Sequence, residues 1–355
     1  MGLEHIVGYT GDGNIEVRDG KGKVISQFNL RRFPQTFFHL AKSGRIIASN
    51  RQGVICTDYS GNIVWEENEQ TGDENRITIN DSGVWVAATV YAHRKEVEEV
   101  KFDGSWLSHL DFHGRRINFK DISKDSFILN NPVMNDKYLV LLCANRGRKF
   151  HVLGPDGNPI FELKDDGASD YNIALVGDLL VYESNNGNWD SGDKWRLKAY
   201  DLAQRKFRLD KHVGFKTNGA YRTNQIGCSH VGNSLFFRPE ERIRRLNLGD
   251  LSLEDYNLNA KIIGSTRDRL FLDFPRNDAQ RYGDIRAYDE TMTAQWEKDI
   301  PGECPEGQCW SFFIDGQGIL VEKAGRLLML DLDGKLKWER ELRNLLTETA
   351  EQKYY

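Results

Sequence analysis

The C-terminal stretch Gly318–Leu342, GILVEKAGRLLMLDLDGKLKWEREL, decides the fold of this chain. It predicts three short strands, which cover Ile319–Lys323, Arg326–Asp331 and Leu336–Leu342. Gly or Asp-Gly bounds each strand, and most of the apolar residues between these turns are branched, which is typical of β-hairpins. A small antiparallel sheet cannot bury both of its faces alone, so the stretch predicts one unit of a larger β architecture.

The same three-strand pattern recurs along the whole chain, and an additional strand precedes most copies. The first copy, His5–Asn29, lacks this additional strand, whereas the second copy, Arg45–Asn68, follows the predicted strand Thr36–Ala41. Equivalent outer strands are about 40 to 50 residues apart, which is the period of a four-stranded β-propeller blade. Because neighbouring blades must stack to bury their faces, we expect one closed ring. The sequence therefore predicts an all-β protein, a single β-propeller of eight four-stranded blades, with seven blades as the alternative.

The propeller is predicted to span residues 1–343, and residues 344–355 form a polar tail. The tail sequence, NLLTETAEQKYY, is more typical of a helix or a loose end than of a central strand. The first copy nevertheless lacks its innermost strand, which the tail could supply. Two alternatives are therefore open for the tail: it is helical, or it closes the ring.

Three segments resemble the PQQ-like propeller repeats of the quinoprotein class. They are GVICTDYSGNIVWEENEQTG (53–72), DIRAYDETMTAQWEKDIPG (284–302) and GRLLMLDLDGKLKWEREL (325–342). In that class, a strand leads through a glycine turn to a tryptophan that packs between adjacent blades. Trp65, Trp296 and Trp338 occupy this position here. The resemblance is recognisable in the first copy and poor in the middle four, and it implies a fold rather than an activity.

The features that accompany enzyme activity in the quinoprotein class are missing from this sequence. The resemblance implies export, acidic ligands, calcium and often a pair of adjacent cysteines, but the five cysteines here are scattered. The first residues, MGLEHIVGYTGDG, show no basic region followed by an apolar run. We therefore expect a cytoplasmic protein with reduced thiols, no cofactor and no bound metal.

Composition excludes two further classes of protein. The formal net charge of −5 argues against a general nucleic-acid binder, which normally carries a strongly basic face. No stretch approaches the roughly 18 consecutive apolar residues that a membrane helix needs. We therefore expect neither a nucleic-acid nor a membrane partner.

The sequence contains no recognisable catalytic signature. Nucleophile-elbow, zinc-protease and phosphate-loop motifs do not occur. His39 and His230 lie on predicted innermost strands, where we interpret them as satisfied buried side chains rather than as catalytic bases. The loop Ser184–Trp195 contains several oxygen ligands that would suit calcium, but its spacing is not that of an EF-hand and favours a solvated loop. A hydrolase or lyase with a site in the central funnel remains the alternative to a binding protein.

The connections divide into two sets, which emerge at opposite ends of a propeller. Connections between first and second strands and between third and fourth strands form the turn face. They are short: Lys42–Gly44, Asp81–Gly83, Asp103-Gly104, Asp156-Gly157, Gly232-Asn233, Asp315-Gly316 and Asp333-Gly334. The other connections form the long-loop face: Asn29–Gln35, Tyr91–Glu98, Asn145–Lys149, Ser184–Trp195, Lys211–Asn224, Pro275–Gly283 and Pro301–Gln308. Long loops on a rigid scaffold predict the binding face.

Arginine and aromatic residues are common in these long connections, as they are in protein interfaces. The predicted partner-binding residues are Arg31, Arg32, Arg94, Arg146, Arg148, Lys149, Trp189, Tyr221, Arg222, Arg276, Arg281 and Tyr282. A basic end on an acidic protein would attract an acidic protein surface, although a solvated rim would have the same composition. We therefore expect a non-catalytic binding protein that neutralises or scaffolds a protein partner, for example the immunity protein of a toxin pair.

Overall fold

A computed structural model describes the following residues: 5–10, 14–29, 36–40, 43–50, 53–68, 74–92, 101–123, 126–145, 147–185, 195–213, 228–238, 242–276, 281–300, 310–314, 318–323 and 326–341. They form 32 strands in eight antiparallel sheets, and none of their regular elements is an α-helix. These segments accordingly include no helix that is long and apolar enough to cross a membrane. The predicted all-β propeller is confirmed.

Each sheet consists of consecutive strands, and we number the sheets as blades 1 to 8. Blade 1 contains β1 (His5–Thr10), β2 (Asn14–Asp19) and β3 (Val24–Asn29); blade 2 contains β4 (Thr36–Leu40), β5 (Arg45–Asn50), β6 (Gly53–Asp58) and β7 (Ile63–Glu67); blade 3 contains β8 (Glu74–Asn80), β9 (Gly83–Ala92), β10 (Lys101–Leu110) and β11 (Arg116–Ser123); blade 4 contains β12 (Phe127–Ile128), β13 (Val133–Met134), β14 (Leu139–Asn145), β15 (Gly147–Leu153) and β16 (Pro159–Lys164). Blade 5 contains β17 (Ala168–Val176), β18 (Leu179–Asn185), β19 (Trp195–Asp201) and β20 (Lys206–His212); blade 6 contains β21 (Cys228–Val231), β22 (Ser234–Phe237), β23 (Ile243–Asn247) and β24 (Leu253–Tyr256); blade 7 contains β25 (Lys261–Ser265), β26 (Leu270–Arg276), β27 (Arg281–Tyr288) and β28 (Ala294–Asp299); blade 8 contains β29 (Trp310–Ile314), β30 (Gly318–Lys323), β31 (Arg326–Leu330) and β32 (Leu336–Glu341).

Seven blades therefore have four or more strands, and blade 1 has three in the described part of the chain. The first strands of the later blades contact one another in sequence, β13 with β17, β17 with β21, β21 with β25 and β25 with β29, so first strands line the centre. Blade 4 has a divided first strand, because both β12 and β13 pair with β14. The missing first strand of the first copy matches the prediction, while the tail lies outside the described residues.

The turn between the third and fourth strands has the same backbone feature in every blade. One residue of each turn has a positive φ, which five blades satisfy with a glycine and three with another residue. These residues are Gly22, Gly61, Gly114, Gly157, Arg205, Leu251, Met292 and Gly334. A positive φ is costly for most residues other than glycine, so the repeated conformation indicates that the same turn is required in each blade.

Each of these turn residues meets a side chain of the preceding blade. A Cβ atom placed on Gly22, Gly61, Gly114 or Gly334 would lie within 3 Å of Trp338, Phe28, Trp65 or Trp296, respectively. Gly157 lies against Trp85, and the Arg205 guanidinium lies over the Phe161 ring at 4.8 Å. The two remaining pairs, Leu209 with Leu251 and Tyr256 with Met292, each pack against one shared core. The contact of Trp338 in blade 8 with Gly22 in blade 1 closes the ring and confirms the predicted position of this tryptophan.

The apolar cores lie between blades rather than within them. One cluster, for example, joins Ile47 and Val54 of blade 2 to Val84 and Val86 of blade 3. Alternating residues of a strand point to opposite faces of its sheet, so each blade contributes to the cores on both of its sides. The propeller is thus held together by stacking around the ring.

One predicted turn is wrong. Asp103-Gly104 was expected to end a strand, but both residues lie within the ten-residue strand β10. The pairing of β10 with β9 shifts register between Phe102 and Gly104, and Gly104 has a φ of 140°. The Asp-Gly pair therefore marks a β-bulge, which uses the same glycine conformations as a turn.

Candidate functional site on the long-loop face

Strand directions place the start of each third strand and the end of each second and fourth strand at the long-loop face. Of the predicted partner-binding residues, two are described with their side chains: Arg148 and Lys149, at the start of β15. Three more lie in strands of which only the backbone is described here: Arg276 at the end of β26, and Arg281 and Tyr282 at the start of β27. The other predicted residues lie outside the described residues: Arg31, Arg32, Arg94, Arg146, Trp189, Tyr221 and Arg222.

Two of the predicted long connections are shorter than expected. Asn145 pairs with Gly147, so β14 and β15 form a tight hairpin instead of a loop from 145 to 149. Arg276 likewise pairs with Arg281, which confines the connection in blade 7 to residues 277–280. Strand pairing therefore continues further toward this face than the sequence indicated, and it places these arginines on strand ends rather than on loops.

Arg148 and Lys149 both contact other groups of this protein. The Arg148 guanidinium donates a hydrogen bond to the carbonyl oxygen of Ala168, which lies in the next blade. The Lys149 Nζ donates to Glu162 Oε1 at 2.9 Å across the sheet of blade 4. This hydrogen bond is the main cause of the lowered pKa of Glu162. Both cations therefore have structural contacts that an isolated protein already uses.

A buried polar network lies beside them, at the connection from blade 4 to blade 5. Its centre is Asp165, whose side chain is 4% exposed. The Asp165 Oδ2 atom accepts hydrogen bonds from Tyr182 Oη at 2.8 Å and from Lys198 Nζ at 2.6 Å. The Oδ1 atom accepts from Ser184 Oγ at 2.8 Å and from the Gly167 backbone N–H at 3.1 Å. This carboxylate thus has four hydrogen-bond donors.

The network also joins the end of β18 in blade 5 to the residues that follow β16 in blade 4. Ser184 and Asn185 are the last two residues of β18, and the Asn185 backbone N–H donates to the Gly167 carbonyl oxygen at 2.7 Å. The Asp165 backbone N–H in turn donates to the Arg148 carbonyl oxygen at 3.0 Å. Backbone and side-chain hydrogen bonds therefore hold the strand ends of blades 4 and 5 in one rigid arrangement.

The electrostatics of this network suit anchoring rather than proton transfer. Burial is the largest cause of the raised pKa of Tyr182, and the neighbouring Asp165 carboxylate raises it further. The tyrosine therefore remains protonated and donates its hydrogen bond at any physiological pH. Each oxygen of Asp165 already accepts two hydrogen bonds, so the acceptor capacity of the carboxylate is used within the network.

A second buried charge lies at the same face in blade 7. Lys261 begins the first strand β25 and pairs with Asp273 of β26, which is buried. Burial is the largest cause of the lowered pKa of Lys261, and the Asp273 carboxylate opposes it by favouring the charged ammonium. Blades 4, 5 and 7 thus all bury charged side chains toward the long-loop face.

Histidines in the described part of the chain do not form a catalytic arrangement. His230 on the first strand β21 is exposed, contrary to the buried position expected for it, and the side chain of His39 lies outside the description. On the opposite, turn face, Ser82 Oγ lies 3.2 Å from His109 Nε2, and Ser82 Oγ also lies 2.7 Å from Asn80 Oδ1. The His109 ring stacks on Trp85 with centroids 4.1 Å apart. Asp111 is near enough to favour the charged form of His109, but its carboxylate accepts hydrogen bonds from the backbone of its own turn rather than orienting the His109 ring.

Across the segments that the structure describes, no three His, Cys, Asp or Glu side chains cluster in a way that could hold a metal ion. The loop considered for calcium, Ser184–Trp195, lies mostly outside these segments. The described cysteines Cys56 and Cys143 are buried and free, and burial raises their pKa to about 11 and about 12. These two thiols are therefore protonated core residues rather than metal ligands or nucleophiles.

Comparison with known proteins gives the fold and no more. No protein-family model matches the sequence, and no curated protein matches it. Solved structures with a similar fold include BamB from Moraxella catarrhalis, with 12% identity and a TM-score of 0.56 over 93% of this chain and 89% of that one. Apo AztD from Citrobacter koseri is 12% identical with a TM-score of 0.58 over 96% and 94% of the two chains. Sqt1 from Saccharomyces cerevisiae is 9% identical with a TM-score of 0.58 over 96% and 93%.

Proposed function

We propose that this protein is a non-catalytic binding protein whose long-loop face binds a protein partner with an acidic surface. The observation that carries the proposal is the Asp165 network, which fixes the strand ends of blades 4 and 5 at that face through hydrogen bonds among its own side chains. Rigid strand ends that support long connections are the usual basis of a binding face. The arrangement supports binding more directly than catalysis.

The fold and the repeat pattern are consistent with this function without specifying it. Trp65, Trp296 and Trp338 each lie on the positive-φ glycine of the next blade, which supports placing the chain among the PQQ-like repeats. Fold similarity at 9 to 12% identity carries no activity, so the partner must be argued from the site. One concrete form of the function is neutralisation or scaffolding in the cytoplasm, as by the immunity protein of a toxin pair.

The basis for an acidic partner is charge rather than an observed contact. Arg94 and Arg222 lie in segments that the sequence predicts to be connections of the long-loop face, whereas the chain as a whole has a net charge of −5. A basic region on an acidic protein attracts an acidic surface locally and repels it elsewhere, which orients the encounter. Such rim charges act mainly on the association rate and on its salt dependence.

The experiment has two stages. The immobilised protein is first used to capture a stoichiometric partner from its native source. Association of the purified partner is then measured with wild-type protein, with Arg222→Glu and with Lys21→Glu, an exposed substitution on the turn face. We expect the Arg222→Glu variant to associate about tenfold more slowly at low salt, with a smaller difference at high salt. Equal rates for all three proteins would contradict the proposed face.

A further inference from the structure

The outer strands of the blades carry the apolar surface of this protein. In the described part of the chain, all large hydrophobic side chains that are exposed belong to fourth strands: Val24, Ile25, Ile63, Val64, Ile117, Phe119, Ile160, Phe207 and Leu336. An outer strand also presents unpaired backbone N–H and C=O groups, to which the strand of another molecule can add. The outer strands are therefore where this fold risks edge-to-edge association.

Charged side chains protect seven of the eight outer strands against such association. Each of β7, β11, β16, β20, β24, β28 and β32 contains at least two ionisable residues, whereas β3, with the sequence VISQFN, contains none. Charged residues on edge strands are the common means by which proteins prevent strand addition. Among the eight outer strands of the described blades, only β3 of blade 1 has no charged residue.

The ion pair of blade 1 lies on a different strand from the ion pairs of most other blades. In most blades a cation of the third strand pairs with an acid of the fourth, as Arg196 does with Asp210 at 2.5 Å and Arg244 with Asp255 at 2.6 Å. In blade 1 both partners, Arg18 and Glu16, lie on β2, and the buried pair is 2.5 Å apart. Arg18 also donates to the Gly22 carbonyl oxygen at 2.7 Å. The Arg18–Glu16 pair thus lies within β2 of blade 1, and β3 itself carries no charge, although the exposed Lys23 directly precedes it.

The exposed apolar surface continues on both sides of β3. Val24 and Ile25 are 39% and 48% exposed, Leu336 of blade 8 is 47% exposed, and Ile63 and Val64 lie on blade 2. Blades 8 and 2 adjoin blade 1 through the contacts of Trp338 with Gly22 and of Phe28 with Gly61. The uncharged edge therefore has exposed apolar residues on the outer strands of both neighbouring blades.

We propose that β3 is a homodimer interface, at which it pairs antiparallel with β3 of a second copy of this chain. A twofold axis places each strand against itself, so the strand must be compatible with its own side chains. Self-pairing of any other outer strand would bring charged side chains into the interface, whereas β3 brings only apolar and neutral polar groups together. The hydroxyl of Ser26 and the amide of Gln27 can donate as well as accept, which makes the polar part of β3 self-complementary.

Antiparallel pairing also fixes the arrangement of the two binding faces. Strand β3 runs from the turn face toward the long-loop face. Two antiparallel copies of β3 therefore direct the long-loop faces to opposite ends of the dimer, where each remains accessible. The dimer interface lies on the rim and is independent of the binding face proposed above.

The test is the oligomeric state of the full chain in sedimentation velocity across a wide dilution series. We expect a wild-type dimer that dissociates on dilution, and an Ile25→Lys variant whose dimer dissociation constant is at least about tenfold higher, since the symmetric interface contains each new charge twice. The matched control is Ile117→Lys, because Ile117 is 56% exposed on the charged outer strand β11. This control should dimerise like the wild type.

Circular dichroism and thermal melting establish that each variant is folded. If Ile25→Lys does not fold, Val24→Lys on the same exposed strand replaces it. A wild-type protein that stays monomeric at every concentration would overturn the proposal, as would a dimer that Ile25→Lys leaves unchanged or that Ile117→Lys weakens equally. A monomer that instead binds an unrelated protein at β3 would equally overturn a second copy as the occupant.

Discussion

The two ends of this propeller are built differently. At the turn face, five of the eight turns between third and fourth strands share one hydrogen-bond pattern. In the first, Asp19 Oδ1 accepts from the backbone N–H groups of Lys21 and Lys23, both at 2.9 Å. The equivalent hydrogen bonds are made by Asp58, Asp111, Asp289 and Asp331. At the long-loop face each described connection is different, and the Asp165 network occurs in one place. The repeated end holds the blades together, which leaves the irregular end free to differ for function.

From this difference we expect substitutions at the packed turns between blades to lower the free energy of unfolding. We expect exposed substitutions at the long-loop face to weaken partner binding instead. The largest effect should come from Trp338→Ala, which removes the side chain that closes the ring against Gly22. We expect a loss of about 3 to 5 kcal/mol in the free energy of unfolding, measured by urea denaturation. Leu336→Ala on the same strand, where the side chain is 47% exposed, should cost less than about 1 kcal/mol. Equal losses would show that Trp338 is not a wedge between blades.

The second prediction concerns the anchor at the long-loop face. Asp165→Asn leaves the Lys198 ammonium, whose side chain is 8% exposed, without its carboxylate, and should destabilise the protein by about 3 kcal/mol. The double variant Asp165→Asn/Lys198→Met should recover part of that loss, because it no longer buries an unpaired charge. A double variant that loses the sum of two independent effects would mean that the two side chains are not coupled.

The third prediction separates backbone strain from packing at the turn face. A Cβ atom on Gly334 would lie 2.7 Å from Trp296 Cε3, whereas a Cβ atom on Gly177 would have no neighbour within 4 Å. Both glycines have a positive φ, so Gly177→Ala should cost about 1 kcal/mol from strain alone and Gly334→Ala about 2 kcal/mol more. Chemical denaturation of both variants gives the comparison. Similar losses in the free energy of unfolding at the two positions would show that Gly334 is not tightly packed against Trp296.

The smallest expected effect is a pH dependence of stability that is caused by His109. Burial is the main cause of the lowered pKa of His109, although its hydrogen bond with Ser82 and the Asp111 carboxylate oppose the shift. Since the folded protein binds this proton less readily than the unfolded chain, His109 contributes full stability above about pH 6.5, and this contribution is lost as the pH falls through the folded pKa. The pH profile of the melting temperature should therefore decline less steeply below pH 6.5 in His109→Gln. The exposed His113→Gln should retain the wild-type slope.

Sequence reasoning recovered the repeat because its signals are local. Gly or Asp-Gly pairs at hairpins and branched residues between them specify strands from neighbours in the chain, and Trp65 and Trp338 mark the seams. Asp103-Gly104 was misread since an Asp-Gly pair also suits a bulge within a strand. The divided first strand of blade 4 left no such signal, because β12 and β13 are two residues each.

The candidate site could be predicted only in outline. Its anchor joins residues that are separated in the sequence, as Asp165 and Lys198 are, and these meet only once the blades have stacked. The partner of Lys149, Glu162, likewise lies on the next strand of the sheet. Charge counting along a loop identifies neither of these contacts. In the antiparallel register Lys149 lies opposite Lys164, and Glu162 is its diagonal neighbour.

We propose that partners bind the long-loop face of the propeller and not the turn face. The most direct measurement is amide hydrogen exchange of the protein with and without the captured partner. We expect added protection at the described strand ends of the long-loop face, in residues 145, 147–149, 165–168 and 185, and unchanged exchange at the turns 19–22, 58–61, 111–114 and 331–334. Protection confined to those turns would contradict the account, and so would a stable complex that protects neither end.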